Sequence, residues 1–189
     1  MRERVLSLQR GPRATASRTG LAVVCIALGC AAPQRRFVPP SDPSQMDDTA
    51  FTHYLATVPV VTVAEGWRAI LILRGSRVTG WTLAEQRLEL ERLGAVQPRW
   101  RLQPGQVLDK GTLGYMLAAV CELPPGVDDR WARVLGIGER RYALKSCIDE
   151  GILPYDVERS PVMGGELLAA ISQAETCIVK LGENPVQAP

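Results

Sequence analysis

The chain predicts an all-α domain of about five short helices arranged in helix-loop-helix repeats. Three observations predict it. Apolar residues recur at helical spacing in several stretches, and two Thr-x-x-Glu signatures stand immediately before such stretches. Strand-like sequence is nearly missing. Only Val58 to Val63 reads in part as a strand, and Pro59 weakens it because proline cannot donate to a ladder.

Taken in order, Thr62-Val63-Ala64-Glu65 has a capping-box spacing and opens a helix to about Arg74, with Ala64, Trp67 and Leu71 on one face and Gly75 as its stop. Thr82-Leu83-Ala84-Glu85 repeats the signature. Its helix runs from Leu83 to Leu93, and Gly94 supplies the left-handed residue after the end. Leu113, Met116, Leu117, Val120 and Cys121 then fall at helical spacing until Pro124-Pro125-Gly126 stops them. From Glu139 to Glu150, Ala143, Leu144, Cys147 and Ile148 share a face closed by Gly151. Leu167, Ala170, Ile171, Ala174, Cys177 and Ile178 make the last stripe. Leu117 and Ile171 are the expected centre of the core.

These stretches align with one another as about two and a half copies of one unit. Glu65-Gly66 matches Lys110-Gly111 and Gly164-Gly165. Leu113, Met116, Leu117 and Val120 match Leu167, Ala170, Ile171 and Ala174. Glu91 to Val96 mirrors Asp149 to Leu153. Over roughly residues 60 to 176 the pattern resembles S-layer homology modules, in which a Thr-x-Ala-Glu turn opens a short helix and a second helix ends in Gly-aliphatic. Val61-Thr62-Val63-Ala64-Glu65 is the best match. The resemblance implies the helical scaffold. The family's arginine, part of its wall-glycan contact, is Val63 here, so glycan binding does not follow from it.

The amino-terminal region carries a separate message. Arg2, Arg4, Arg10, Arg13 and Arg18 lead into the apolar run Leu21 to Leu28 and then Gly29-Cys30-Ala31-Ala32. The run is too short for the roughly twenty residues that span a bilayer, but it suits the apolar core of a secretory signal. The order resembles a bacterial lipoprotein signal peptide, with Ala27 where the family prefers leucine. The resemblance implies acylation of Cys30, cleavage before it, and a membrane partner through that lipid. Ala31 then implies sorting to the outer membrane in a two-membrane cell. The alternatives are an ordinary secretory signal cut after Ala27-Leu28-Gly29, an uncleaved weak anchor, and a start nearer Leu21.

The expected organisation is a signal peptide over 1–29, the lipidated cysteine and a Pro-rich tether over 30–50, a helical domain over 51–182 and a disordered tail over 183–189. Without residues 1–29, which hold five Arg and one Glu, 17 basic and 19 acidic side chains remain, for a net charge of −2. That removes the case for nucleic acid, which needs a clustered basic face.

No cofactor or metal motif is present. The sequence lacks a Gly-x-Ser-x-Gly elbow, a Walker loop, a Cys-x-x-Cys pair and a His-Glu-x-x-His helix, and Gly136-Ile137-Gly138 lacks the rest of a dinucleotide turn. His53 is the single histidine and reads as structural. Asp128-Asp129 and Asp149-Glu150 read as solvated pairs, since neighbours on a helix do not face one another. Cys121, Cys147 and Cys177 lie on apolar faces and read as buried thiols; a disulfide, if one forms, pairs Cys121 with Cys147. Trp81, Trp100, Trp131 and Tyr155 lie in loops; exposed, they form the candidate binding surface for a sugar or a partner, and buried, the favoured reading, they cap the helical core. The leading expectation is an envelope-anchored, non-enzymatic scaffold or binding module whose partner is wall glycan or another envelope protein. The alternative is a small envelope enzyme using carboxylates at helix starts, Glu65, Asp109 or Glu166.

Overall fold

The computed structural model describes residues 42–124 and 138–183, with side chains through Val179. Among these residues six helices form and no strand does: α1 (Asp48–Thr57), α2 (Val63–Leu73), α3 (Leu83–Arg92), α4 (Lys110–Val120), α5 (Glu139–Asp149) and α6 (Gly164–Glu183). The signal peptide, Cys30, Asp128-Asp129, Trp131 and residues 184–189 lie outside the described residues.

Both capping boxes form as the sequence predicts. The side chains of Thr62 and Glu65 satisfy each other's backbone N–H groups at the start of α2, and Thr82 and Glu85 do the same for α3. The ends of α3 and α5 are also alike. Gly94 and Gly151 adopt φ of 71° and 72°, which lets Ala95 and Ile152 each donate to a carbonyl five residues back, Leu90 and Cys147, at 2.8 Å in both cases.

Val58 to Val63, which reads only in part as a strand, forms none; a different device stands there. Val61 N–H donates to Val162 O at 2.8 Å, Val162 N–H to Leu108 O at 3.0 Å, and Leu108 N–H to Val61 O at 2.9 Å. Three chain segments thus close a ring of hydrogen bonds, flanked by the isolated bridges Thr62–Val107 and Asp109–Pro161. One bond to each neighbour satisfies the buried amides without a ladder, so no strand extends. All three ring residues are fully buried.

Helices α2, α4 and α6 leave the ring at matching positions. Each first helical N–H reaches a carbonyl of a neighbouring loop: Val63 to Gln106, Lys110 to Ser160, and Gly164 to Val58, at 2.8, 3.0 and 3.1 Å. This register aligns Val63-Ala64, not Glu65-Gly66, with Lys110-Gly111 and Gly164-Gly165. The pairing drawn from sequence is two residues off in the first copy, because the Glu-Gly and Lys-Gly dipeptides look alike although the caps differ.

Each of the three helices packs with a second one: α2 with α3, α4 with α5, and α6 with α1. The repeat is therefore completed by the first helix of the described residues. Helix α1 was not expected. Asp47 caps it by accepting from Ala50 N–H at 2.7 Å, and Phe51, Tyr54 and Leu55 form its buried stripe. Its start, and the 3-10 turn Pro43–Gln45 before it, move the folded boundary earlier than the expected residue 51. Arg68 of α2 straps this segment down. Its guanidinium, 4% exposed, donates to Pro43 O and Met46 O, pairs with Asp48 at 3.2 Å and stacks 4.4 Å from the Phe51 ring centre.

The core lies among all six helices. Leu117 is fully buried at its centre, as predicted, whereas Ile171 is only partly buried against it. Almost all of α4 is buried, more than an amphipathic stripe requires. Gly114 explains the closeness: a Cβ there would stand 2.8 Å from the Leu144 Cα of α5. Gly164 plays the same part against α1, where a Cβ would stand 1.8 Å from Leu55 O.

Candidate functional site

The ring gathers the starts of three helices and the loops that precede them, so polar side chains from distant sequence meet there. Lys110 is the first residue of α4 and is 4% exposed. A cation at a helix N-terminus opposes the helix dipole, so the position needs compensation. It comes from two carboxylates: Lys110 Nζ donates to Glu166 Oε1 of α6 at 2.8 Å and to Asp156 of the preceding loop. Burial works to lower the ammonium's pKa, but the bonds to Asp156 and Glu166 prevail and hold it above the ordinary lysine value. Asp156 is correspondingly depressed to about 2, through Lys110 first and then Val157 N–H and Ser160 Oγ–H. For Glu166 burial pulls upward, yet Lys110 and Met163 N–H leave it below the usual range.

Glu65 is engaged in another way. Its carboxylate accepts from Thr62 N–H at 2.7 Å, from Thr62 Oγ1–H at 2.8 Å and from the Tyr54 hydroxyl of α1. Burial, and then the carboxylate itself, push the Tyr54 phenol well up. Asp109 caps α4 by accepting from Thr112 N–H at 2.7 Å and lies 3.6 Å from Arg140 Nη1. The three carboxylates proposed for acid–base chemistry thus serve as caps and ion-pair partners, each with a different set of donors. A general acid at neutral pH needs a raised pKa, and Glu166 is shifted the opposite way.

The four aromatic residues of the expected surface do not come together. Trp100 is half-buried and packs edge-on against Tyr115, with ring centres 4.7 Å apart. Arg140 lies 4.3 Å over its other face, while Gln97 bonds the Tyr115 hydroxyl and Arg99 pairs with Glu139. These contacts fix Trp100 as a lid on the core between α4 and α5. Trp81 is half-buried beside α3, where it lines a cavity of about 540 Å³ with Glu85, Leu88 and Arg92. Tyr155 is 90% exposed, and Trp131 lies outside the described residues. His53 is exposed on α1.

Four exposed apolar residues that sequence reasoning missed, and Tyr155, which it named, stand on the segments that build the ring and its ion pair. Val60, Val107, Met163, Tyr155 and Val157 are all exposed, and each lies in a segment that supplies a ring residue or the Lys110 ion pair. Scattered exposed apolar residues are ordinary, but several on adjoining segments form a patch. The available signal was an apolar residue directly beside each of Val61, Leu108 and Val162, which periodicity assigns to the interior.

No family model matches this chain. Nor do the curated proteins or the solved structures hold a match. Among the described residues no helix is long and apolar enough to cross a membrane, and no group of His, Cys, Asp and Glu could hold a metal ion.

Proposed function

We propose that the protein is an envelope-anchored lipoprotein, held by acyl chains on Cys30, whose helical domain is a non-enzymatic binding module for another envelope protein. The observation that carries the binding role is that Val60, Val107 and Met163, each next in sequence to a ring residue, and Tyr155 and Val157, either side of Asp156, are all exposed; we read them as one apolar collar. Four of these five are aliphatic. Sugars are usually held by stacking on aromatic faces and by polar groups, so an aliphatic collar favours a protein surface over wall glycan.

The three helix pairs support the S-layer-homology resemblance as a scaffold. In the ring register, the position of that family's arginine is held by Val63, Lys110 and Gly164. The one cation among them already has two carboxylate partners, which argues against the family's glycan contact here. Support for an enzyme is weaker, since Glu65, Asp109 and Glu166 are each engaged as caps.

Two measurements test the reading separately. Cys30→Ala should move the protein out of the membrane fraction, and detergent partitioning indifferent to that change would refute the anchor. A photo-crosslinker at Val107 or Tyr155 should capture a discrete protein adduct in intact envelopes, with one at the exposed Val179, toward the far end of α6 from the ring, as the control. Equal labelling at all three positions would refute the collar as an interface.

A further inference from the structure

The three described cysteines gather where α4, α5 and α6 meet, and their geometry differs from the order in sequence. Cys121 is the C-cap of α4 and is fully buried. Its Sγ faces α6, 3.9 Å from Ala174 O. Cys177 lies three residues after Ala174, on the same face of α6, and is packed on the core and half-buried, so Cys121 Sγ approaches α6 one turn from the Cys177 thiol. Cys147 is directed elsewhere: its Sγ donates to Gly114 O at 3.2 Å, nearly two turns from the end of α4 where Cys121 sits. All three are free thiols in this structure.

We propose that Cys121 and Cys177 form an oxidation site, closing to a disulfide that joins the end of α4 to the middle of α6 and leaves Cys147 reduced. The pair that sequence spacing favoured was Cys121 with Cys147; here Cys147 Sγ is bonded to Gly114 O, whereas Cys121 Sγ is turned to α6, which carries Cys177. Access sets the order of steps. Cys177 alone of the three reaches the surface, so it meets the oxidant, a small-molecule disulfide of the glutathione type. Its thiolate attacks one sulfur of that disulfide, which breaks the S–S bond, releases one small thiol and leaves a mixed disulfide on Cys177. Cys121 then gives its proton to solvent and its sulfur attacks Cys177 Sγ, expelling the second small thiol. Two protein thiols lose two electrons and one external disulfide gains them.

The second step is the slow one. Burial, and then the neighbouring Cys177 sulfur, push the Cys121 thiol up to about 12, and only the thiolate attacks. Closure should therefore accelerate nearly tenfold per unit as pH rises from 7 to 9.

The test uses the full chain carrying Cys25→Ser and Cys30→Ser, so that three thiols remain. Reduced protein held in a glutathione redox buffer at pH 8 should lose two hydrogens by intact mass, and peptide mapping should link Cys121 to Cys177. The linked form should melt roughly 10 °C above the reduced form, because the closed loop constrains the unfolded chain. Cys147→Ala should form the same link. Cys177→Ala, at a half-buried position that tolerates truncation, should form none and should melt alike in both buffers. A link through Cys147, a lasting glutathione adduct on Cys177 beside free Cys121, or three free thiols after oxidation would each overturn the proposal. None of these outcomes depends on where the protein resides.

Discussion

The α4–α5 pair and the α6–α1 pair occupy equivalent places around one ring, yet they are built from the chain in opposite ways. Helices α4 and α5 follow one another in sequence, and their close approach rests on Gly114 against the Leu144 backbone. Helices α6 and α1 come from the two ends of the folded region, and theirs rests on Gly164 against Leu55 O. One pair is joined covalently by the chain that runs directly from one helix to the other. The other is held by the bonds from Val61 to Val162 and from Gly164 to Val58, and by packing. Equivalent geometry thus does not imply equivalent vulnerability: the split pair has no loop to keep its halves together once contact is lost.

The sharpest way to break the comparison is at the two glycines. Gly164→Ala forces a methyl against backbone that cannot yield, so we expect α1 to detach and the domain to unfold or melt with two transitions. Gly114→Ala meets atoms at 2.8 Å and should cost about 1–3 kcal/mol, as overpacking does. Gly165→Ala, with nothing within 4 Å, should match the parent protein or exceed it slightly. Thermal melts followed by circular dichroism rank the three. Equal melting of Gly164→Ala and Gly165→Ala would show that α1 does not pack as described.

A smaller effect is expected inside the core. Leu117→Ala should cost about 2–5 kcal/mol in urea unfolding, because the side chain is fully buried. Ile171 occupies the matching place in the split pair but is only partly buried, so Ile171→Ala should cost about half as much. A reversed order would place the centre of the core nearer α6 than α4.

An effect below that of Leu117→Ala concerns the ion pairs that bring α4 to α6. Lys110→Met leaves Asp156 and Glu166 facing one another without a cation and should cost about 1.5–3 kcal/mol, the range for hydrogen bonds to charged groups. The pH dependence follows from the shifts. Asp156 has a folded pKa of about 2, below its ordinary value of 3.8, so its contribution is present above pH 4 and is lost as pH falls toward 2. Lys110 is shifted upward from 10.5, so its contribution is present below that value and is lost only as pH rises beyond its folded pKa. Melting temperature should therefore fall between pH 4 and 2 in the parent protein and fall less steeply in Asp156→Asn. Identical acid limbs would remove Asp156 from the account.

The sequence revealed local structure well and closure poorly. Thr62 with Glu65, Thr82 with Glu85, Gly94 and Gly151 each announce a helix boundary through bonds made within a few residues, so reading along the chain finds them. The ring bonds, by contrast, join Val61, Leu108 and Val162 across tens of residues, and nothing in a short window signals them. Helix α1 was missed because its partner α6 lies over a hundred residues away and its own stripe, Phe51, Tyr54 and Leu55, is short. Lys110 at a helix start looks unfavourable until Asp156 and Glu166 are beside it. Trp100 does cap the core, as the favoured reading has it, but its partners Tyr115 and Arg140 come from two helices that its own sequence window does not reach.

The closing of α1 onto α6 also sets a schedule. A chain made from its amino terminus emerges with α1 first, yet the helix that covers Phe51, Tyr54 and Leu55 comes last. Those apolar side chains must wait through the synthesis of nearly the whole domain, held locally only by α2 and the Arg68 strap. Contacts of such sequence separation are slow to form and leave sticky surface exposed meanwhile. The early chain is therefore the part most in need of a chaperone, and a chain cut short before Gly164 would keep that need permanently.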